Sequence, residues 1–185
     1  MFPSLTNTAT SFFGASIATS GPDKDAFNAS KVSVVLPMAS ASDRGQVCTT
    51  SSAYLTTPAY AIWYWRASGW TYGWVSWSTG IGSGQWTQIV LPKPVIIKSY
   101  SITPWSSDTW NSRCITLWKL QASLDGITWI DLDFQSKDVN SWVRYKEVYF
   151  SCATNSTPYQ IYRILILGNG GDSYVGIDHL GLYEN

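Results

Sequence analysis

The stretch from Ile115 to Leu132 limits this chain more than any other. Ile115 to Gln121 alternates apolar and polar side chains, Asp125-Gly126 follows, and Thr128 to Leu132 resumes the strand-like text. A period of two fits a strand buried on one face, and Asp-Gly supplies the left-handed backbone of a tight hairpin turn. The same short, strand-like runs recur at Trp86–Leu91, Val95–Ile102, Trp142–Phe150, Tyr159–Leu167 and Tyr174–Tyr183, with a Pro92-Lys93-Pro94 turn and an apolar run at Val32–Leu36. No segment carries an apolar stripe at 3.6-residue spacing. Many short strands separated by Gly, Pro, Asn and Asp predict an all-β, antiparallel sandwich or closed barrel.

At 185 residues the chain has room for one domain with a full core. Residues 1–30 are rich in Ser, Thr and Ala and contain a Gly21-Pro22-Asp23 turn signal; they read as an extended N-terminal arm or linker before a domain spanning 31–185. Twelve basic and twelve acidic residues cancel, and no basic stretch could neutralise a run of phosphates, so nucleic acid is not an expected partner. Apolar runs are too short for a membrane span, and the N-terminus lacks the basic-then-apolar order of a secretory signal. Cys48, Cys114 and Cys152 are odd in number and widely spaced, which predicts buried free thiols and assembly in a reducing compartment, with one disulfide still open.

Aromatic content is high: 11 Trp and 11 Tyr in one domain exceed what a single core accommodates, so some rings are expected at the surface as contact residues. Alternating strand direction sends the loops at roughly 66–85, 104–113, 134–141 and 168–174 to one end. That end collects Trp70, Tyr72, Trp74, Trp105, Trp110 and Tyr174 with Asp108, Arg113, Asn169 and Asp172. The opposite end holds few aromatics.

The order of motifs resembles the discoidin, or coagulation-factor type C, family of galactose-binding-like domains. Trp86-Thr-Gln-Ile-Val-Leu91 is similar to that family's W-x-Q-I-D-L strand. Trp118-Lys-Leu-Gln-Ala-Ser-Leu-Asp-Gly-Ile-Thr-Trp129 resembles its W-x-L-x-G-S-N-D-G-x-T-W hairpin, Tyr162-Arg163-Ile164 its Y-R-x-x-R-I strand, and Gly176–Tyr183 its closing I-G-E-L-E-L strand. The likeness runs from about residue 33 to the end. The resemblance implies an eight-stranded antiparallel jelly roll whose loops, opposite the termini, bind glycans, phospholipid or protein. The run Leu91–Pro104 followed by the Asp-Gly hairpin is similar to small domains of bacteriophage tail and adhesion proteins. Family members often hold a structural calcium through an A-F-D-G turn; here Tyr60–Gly69 takes its place, with no Asp or Glu from Arg44 to Ser107, so no metal or other cofactor is expected.

The candidate ligand-binding residues are Arg66, Trp70, Tyr72, Trp105, Asp108, Trp110, Arg113, Asn169, Asp172 and Tyr174. Rings beside a carboxylate and a guanidinium suit a hydroxyl-rich ligand: the ring stacks while the charged groups form hydrogen bonds. Blander readings stand beside this one. Trp74 and Trp77 can plug the barrel mouth, and Trp63 and Trp65 alternate with Ile62 and Tyr64, so one face of that pair is expected to be buried. Asp108 can pair with Arg113, Arg66 can stack on a ring, and Asn169–Asp172 can be turn chemistry. His179 is the only histidine and, by alternation with Leu180 and Leu182, points away from the core; no nucleophile motif accompanies it. Asp131 and Asp133 share a strand face but sit on the wrong hairpin for a glycosidase pair. The expected function is a non-catalytic carbohydrate-binding module of a phage virion or tail-associated protein that meets host surface glycan, displayed on a homo-oligomer for avidity. The alternative is a structural virion protein whose loops and arm contact other virion proteins.

Overall fold

The computed structural model describes residues 32–53, 59–63, 83–106, 110–152 and 154–184, together with the backbone of 74–77. The arm at 1–30 lies outside the described residues. Among the described residues ten strands form two antiparallel sheets. β1 (Ser42–Asp43), β2 (Gln46–Thr50), β4 (Gln85–Val95), β9 (Tyr159–Asn169), β6 (Ile115–Ser123) and β7 (Ile130–Ser136) make a six-stranded sheet in the order β1-β2-β4-β9-β6-β7. β3 (Trp74–Trp77), β10 (Tyr174–Tyr183), β5 (Ser99–Pro104) and β8 (Val148–Ser151) make a four-stranded sheet in the order β3-β10-β5-β8. This is the all-β antiparallel sandwich that the strand pattern predicts, in the jelly-roll form that the resemblance implies, with ten strands where the resemblance implies eight. Among the described residues no helix is long and apolar enough to cross a membrane.

The core lies between the sheets and is built from the alternate residues of each strand. Ile89 and Leu91 of β4, Tyr100 and Ile102 of β5, Trp118 and Leu120 of β6, Tyr162, Ile164 and Ile166 of β9, and Leu180 and Leu182 of β10 are all buried. Trp63, Trp118 and Trp142 are the largest side chains in it among the described residues. Each indole N–H has a partner, since an unpaired buried donor would carry its full desolvation penalty: Trp63 donates to Thr87 Oγ1 at 3.2 Å, Trp118 to Tyr100 Oη at 3.0 Å and Trp142 to the Ile115 carbonyl at 2.8 Å. All three cysteines are buried free thiols, and burial pushes the Cys48 and Cys114 thiols up to about 12, which keeps them protonated.

Several local expectations change. The turn between β6 and β7 is wider than a two-residue hairpin, because Asp125 Oδ1 accepts from both Ile127 N and Thr128 N and curls the chain until β7 begins at Ile130. The Pro92-Lys93-Pro94 segment does not reverse the chain. β4 runs through it to Val95 and only its pairing with β9 lapses, since proline has no N–H to donate; the chain then crosses to the other sheet through Ile96–Lys98. Ala59–Trp63 is a 3-10 turn with Ile62 and Trp63 both buried, so consecutive residues, not alternate ones, face the core there. Trp142 precedes its strand as the cap of the 3-10 turn Val139–Ser141, and β8 starts at Val148.

Candidate functional site

The strand registers place the chain segments after Pro104, Ser136 and Asn169 at one end. Ile115 lies opposite Asn169, Leu117 opposite Ser136, and Ile177 opposite Pro104. Gly170 shows how closely these segments approach. A Cβ added there would lie 2.1 Å from the Asn111 carbonyl oxygen, 2.9 Å from Ser112 Cα and 2.9 Å from Val139 Cγ2, so only glycine lets the three loops meet. Gly170 N donates to the Cys114 carbonyl at 3.0 Å and Asp172 N to the Ser112 carbonyl at 3.1 Å, which ties the last turn of one loop to the other.

On this scaffold Arg113, at the end of the helical turn Trp110–Arg113, meets Asp172 and Tyr174. Its Nε donates to Asp172 Oδ2 at 3.1 Å, and its Cζ sits 4.6 Å from the Tyr174 ring centroid. Burial alone would raise the Asp172 pKa, but the Tyr174 backbone N–H, Arg113 and Ser112 outweigh it and hold the carboxyl below the usual range. The guanidinium is thereby fixed in plane by an aromatic face and by one nitrogen. Its terminal nitrogens make no hydrogen bond to the described residues, and the side chain is 20% exposed. Asn169 supports this arrangement without facing a ligand. It is buried, and its Nδ2 donates to the Asp172 carbonyl at 2.9 Å and to the Tyr174 carbonyl at 2.6 Å while Oδ1 accepts from Gly171 N. It reads as turn chemistry.

Trp105 is half-buried, its ring set against Gly176, where an added Cβ would lie 2.5 Å from Trp105 Cγ. The Trp105 Nε1 and Asn111 Oδ1 atoms are buried and have no hydrogen-bond partner among the described residues. The structure thus brings Trp105, Arg113, Asn169, Asp172 and Tyr174 to one end. Arg66, Trp70, Tyr72 and Asp108 lie outside the described residues, as does the side chain of Trp110, although its backbone begins the helical turn.

Two carboxylates that sequence reasoning did not single out sit behind this end. Asp178 of β10 is 3% exposed and accepts a hydrogen bond from the Ser106 hydroxyl. Its pKa is pushed up to about 6 by burial, against the pull of the Ser106 hydroxyl and backbone N–H. A carboxylate inside the otherwise apolar closing strand is the signal that could have found it. Glu147, before β8, accepts from Ser101 Oγ at 2.5 Å, Tyr149 Oη at 2.7 Å and Tyr183 Oη at 3.2 Å, and His179 Nδ1 lies 3.3 Å away. Burial would raise its pKa, but the hydrogen bonds from His179, Ser101 and Tyr149 together bring it down to about 2. His179 does point away from the core, yet it is buried in this cluster, not exposed to solvent.

The paired-carboxylate reading fails on geometry. A β-bulge between Leu120 and Gln121 puts Asp131 with Lys119 and Gln121 on the outer face while Asp133 turns inward to accept from Tyr100 Oη at 2.7 Å. Among the described residues no three His, Cys, Asp or Glu side chains come together, and residues 64–69 of the segment that takes the place of the family's calcium turn lie outside the described residues.

No protein-family model and no curated protein matches the chain. Solved structures do match it. The F5/8 type C domain of a Bacteroides fragilis protein superposes with a TM-score of 0.61 at 19% identity, over 79% of this chain and 96% of that one. The family 32 carbohydrate-binding module of Clostridium perfringens NanJ, in complex with galactose, gives a TM-score of 0.56 at 19% identity over 76% and 94% of the two chains. A family 32 module of CpGH89 from the same organism, in complex with GalNAc-β-1,3-galactose, gives 0.58 at 12% identity over 75% and 95%. The chain has the discoidin-type jelly-roll fold shared by F5/8 type C domains and family 32 carbohydrate-binding modules.

Proposed function

We propose that this domain binds a carbohydrate at the end formed by the loops after Pro104, Ser136 and Asn169, without catalysing a reaction. One observation carries the reading: the Arg113 guanidinium is locked by Asp172 and Tyr174 while its terminal nitrogens stay unengaged by the described residues. A guanidinium oriented in advance loses little entropy when it donates two hydrogen bonds to one sugar, and planar side chains nearby offer faces to stack on. The binding of galactose and of GalNAc-β-1,3-galactose by modules of the same fold supports this reading. Such shallow sites bind weakly one at a time, so display on a homo-oligomer belongs to the proposal. The finer setting, a phage virion or tail-associated protein meeting host surface polysaccharide, rests on the likeness of Leu91–Pro104 to phage tail domains.

The test is a glycan array of galactosides, N-acetylgalactosaminides and uronates, probed with the native chain and with Tyr174→Ala. Retention of at least one glycan by the native chain, lost in the variant, is the expected result. Equal retention by both would remove this end from the reading, and retention of nothing would favour the structural virion role.

A further inference from the structure

We infer that Asn169–Gly170 is a latent self-modification site: the closed loop end keeps the Asn169 amide silent, and conversion of that amide to a carboxylate dismantles the support of Arg113. These two residues are the one Asn-Gly pair in the chain. Glycine carries no Cβ to hinder its own nitrogen, so Gly170 N can close on Asn169 Cγ. The N–Cγ bond forms, the Cγ–Nδ2 bond breaks, and Nδ2 leaves as ammonia with the proton from Gly170 N. Water then opens the resulting succinimide at either carbonyl, leaving aspartate or isoaspartate.

The fold requires both residues and so creates this reactive pair. Only glycine fits at 170, where an added Cβ would lie 2.1 Å from the Asn111 carbonyl oxygen. Position 169 must supply two donors and an acceptor on one short side chain. Nδ2 donates to the Asp172 and Tyr174 carbonyls, and Oδ1 accepts from Gly171 N at 3.0 Å. Asparagine meets that demand; aspartate has no donor to give.

The same contacts keep the pair from reacting. Gly170 N donates to the Cys114 carbonyl at 3.0 Å, Asn169 lies opposite Ile115 in the β6–β9 ladder, and its own carbonyl accepts from Thr116 Oγ1 at 3.2 Å. The attacking nitrogen, the amide oxygen and the leaving nitrogen are thus all bonded elsewhere, and ring closure requires the loop end to open first. After reaction the original bonding cannot be restored. A carboxylate at 169 faces the Asp172 and Tyr174 carbonyls with no proton between them, and isoaspartate adds a methylene to the backbone beside the crowded Gly170. Asp172 and Tyr174, which hold Arg113, lose their anchor. The consequence for ligand binding rests on the proposed function; the reaction and its gate do not.

The test incubates the full chain in mildly alkaline buffer, native and unfolded in guanidinium chloride. The peptide Ile164–Asn185, released by trypsin after Arg163, is followed for the mass gain of an NH-to-O exchange at Asn169. We expect conversion in the unfolded chain and conversion slower by about a hundredfold or more in the native one, the ratio matching the open fraction read from hydrogen exchange of the Gly170 amide. Equal rates would overturn the gate, as would a native rate above what that open fraction allows. An unreactive Asn169 in the unfolded chain would overturn the site. Asn169→Asp, which stands in for one product, should melt lower by about 5 °C. An unchanged melt, or a glycan held as well by Asn169→Asp as by the native chain, would overturn the link to Arg113. A gated reaction beside no glycan retained by the native chain supports the site and overturns the binding reading alone.

Discussion

Two buried polar regions of this domain are built on opposite principles. Around Glu147 the hydroxyls of Ser101, Tyr149 and Tyr183 and the His179 ring converge on one carboxylate. At the loop end the Arg113 guanidinium is held but not filled by the described residues, and Trp105 Nε1 and Asn111 Oδ1 are buried without a partner among them. Folding alone accounts for the first region, because donors there outnumber what desolvation takes away. The second differs: there Trp105 Nε1 and Asn111 Oδ1 carry the cost of burial and receive no hydrogen bond from the described residues. The proposed carbohydrate site rests on this difference.

Removing the centre of the filled region is expected to have the largest effect. Glu147→Ala strands several buried hydroxyls and His179, and should lower unfolding free energy by about 3 kcal/mol in urea titrations. The native carboxylate, brought down to about 2 from 4.5, contributes stability above its ordinary value and loses it as pH falls through about 2. Acid unfolding of the native chain should therefore steepen in that range, and that of Glu147→Ala should not.

Asp178 has the opposite sign and a smaller expected effect. Its raised pKa means the protonated form favours the fold; that contribution is complete below about 3.8 and is lost as pH rises through about 6. Asp178→Asn should stabilise the domain by about 2 kcal/mol at neutral pH and by nothing at pH below about 4, read from thermal melts at the two conditions. A destabilised variant at neutral pH would show that the Ser106 bonds outweigh the desolvation.

The smallest effect on stability belongs to the unfilled region. Arg113→Lys removes a single-nitrogen bond to Asp172 at a partly exposed pair, which should cost under about 1 kcal/mol. The same change replaces a planar fork by a point charge, so glycan retention should fall by about tenfold or more. A variant that binds normally would show that the unengaged guanidinium nitrogens are not used.

The strand text made the fold legible because side-chain period and strand burial are the same physical fact, as in Trp118 and Leu120 facing inward while Lys119 faces out. It was least informative where side-chain bonds override period. Asp125 widened a turn by capping two N–H groups, and a bulge beside Gln121 separated Asp131 from Asp133. Of the candidate site, the grouping of Arg113, Asn169, Asp172 and Tyr174 followed from strand direction. The support role of Asn169 did not, since an amide in a polar turn looks the same whether it faces ligand or backbone. Asp178 and Glu147 stayed hidden because their roles depend on donors from other strands, which no local pattern shows.

The most direct test compares the two ends of the jelly roll in one calorimetric titration. The glycan retained most strongly on an array is titrated into the native chain, into Arg113→Ala at the loop end, and into Leu124→Ser at the exposed tip of the opposite hairpin. Affinity lost in Arg113→Ala with both variants still folded at the titration temperature, and kept in Leu124→Ser, is the predicted result. Equal affinity in all three, or loss only in Leu124→Ser, would contradict a carbohydrate site at the Arg113 end.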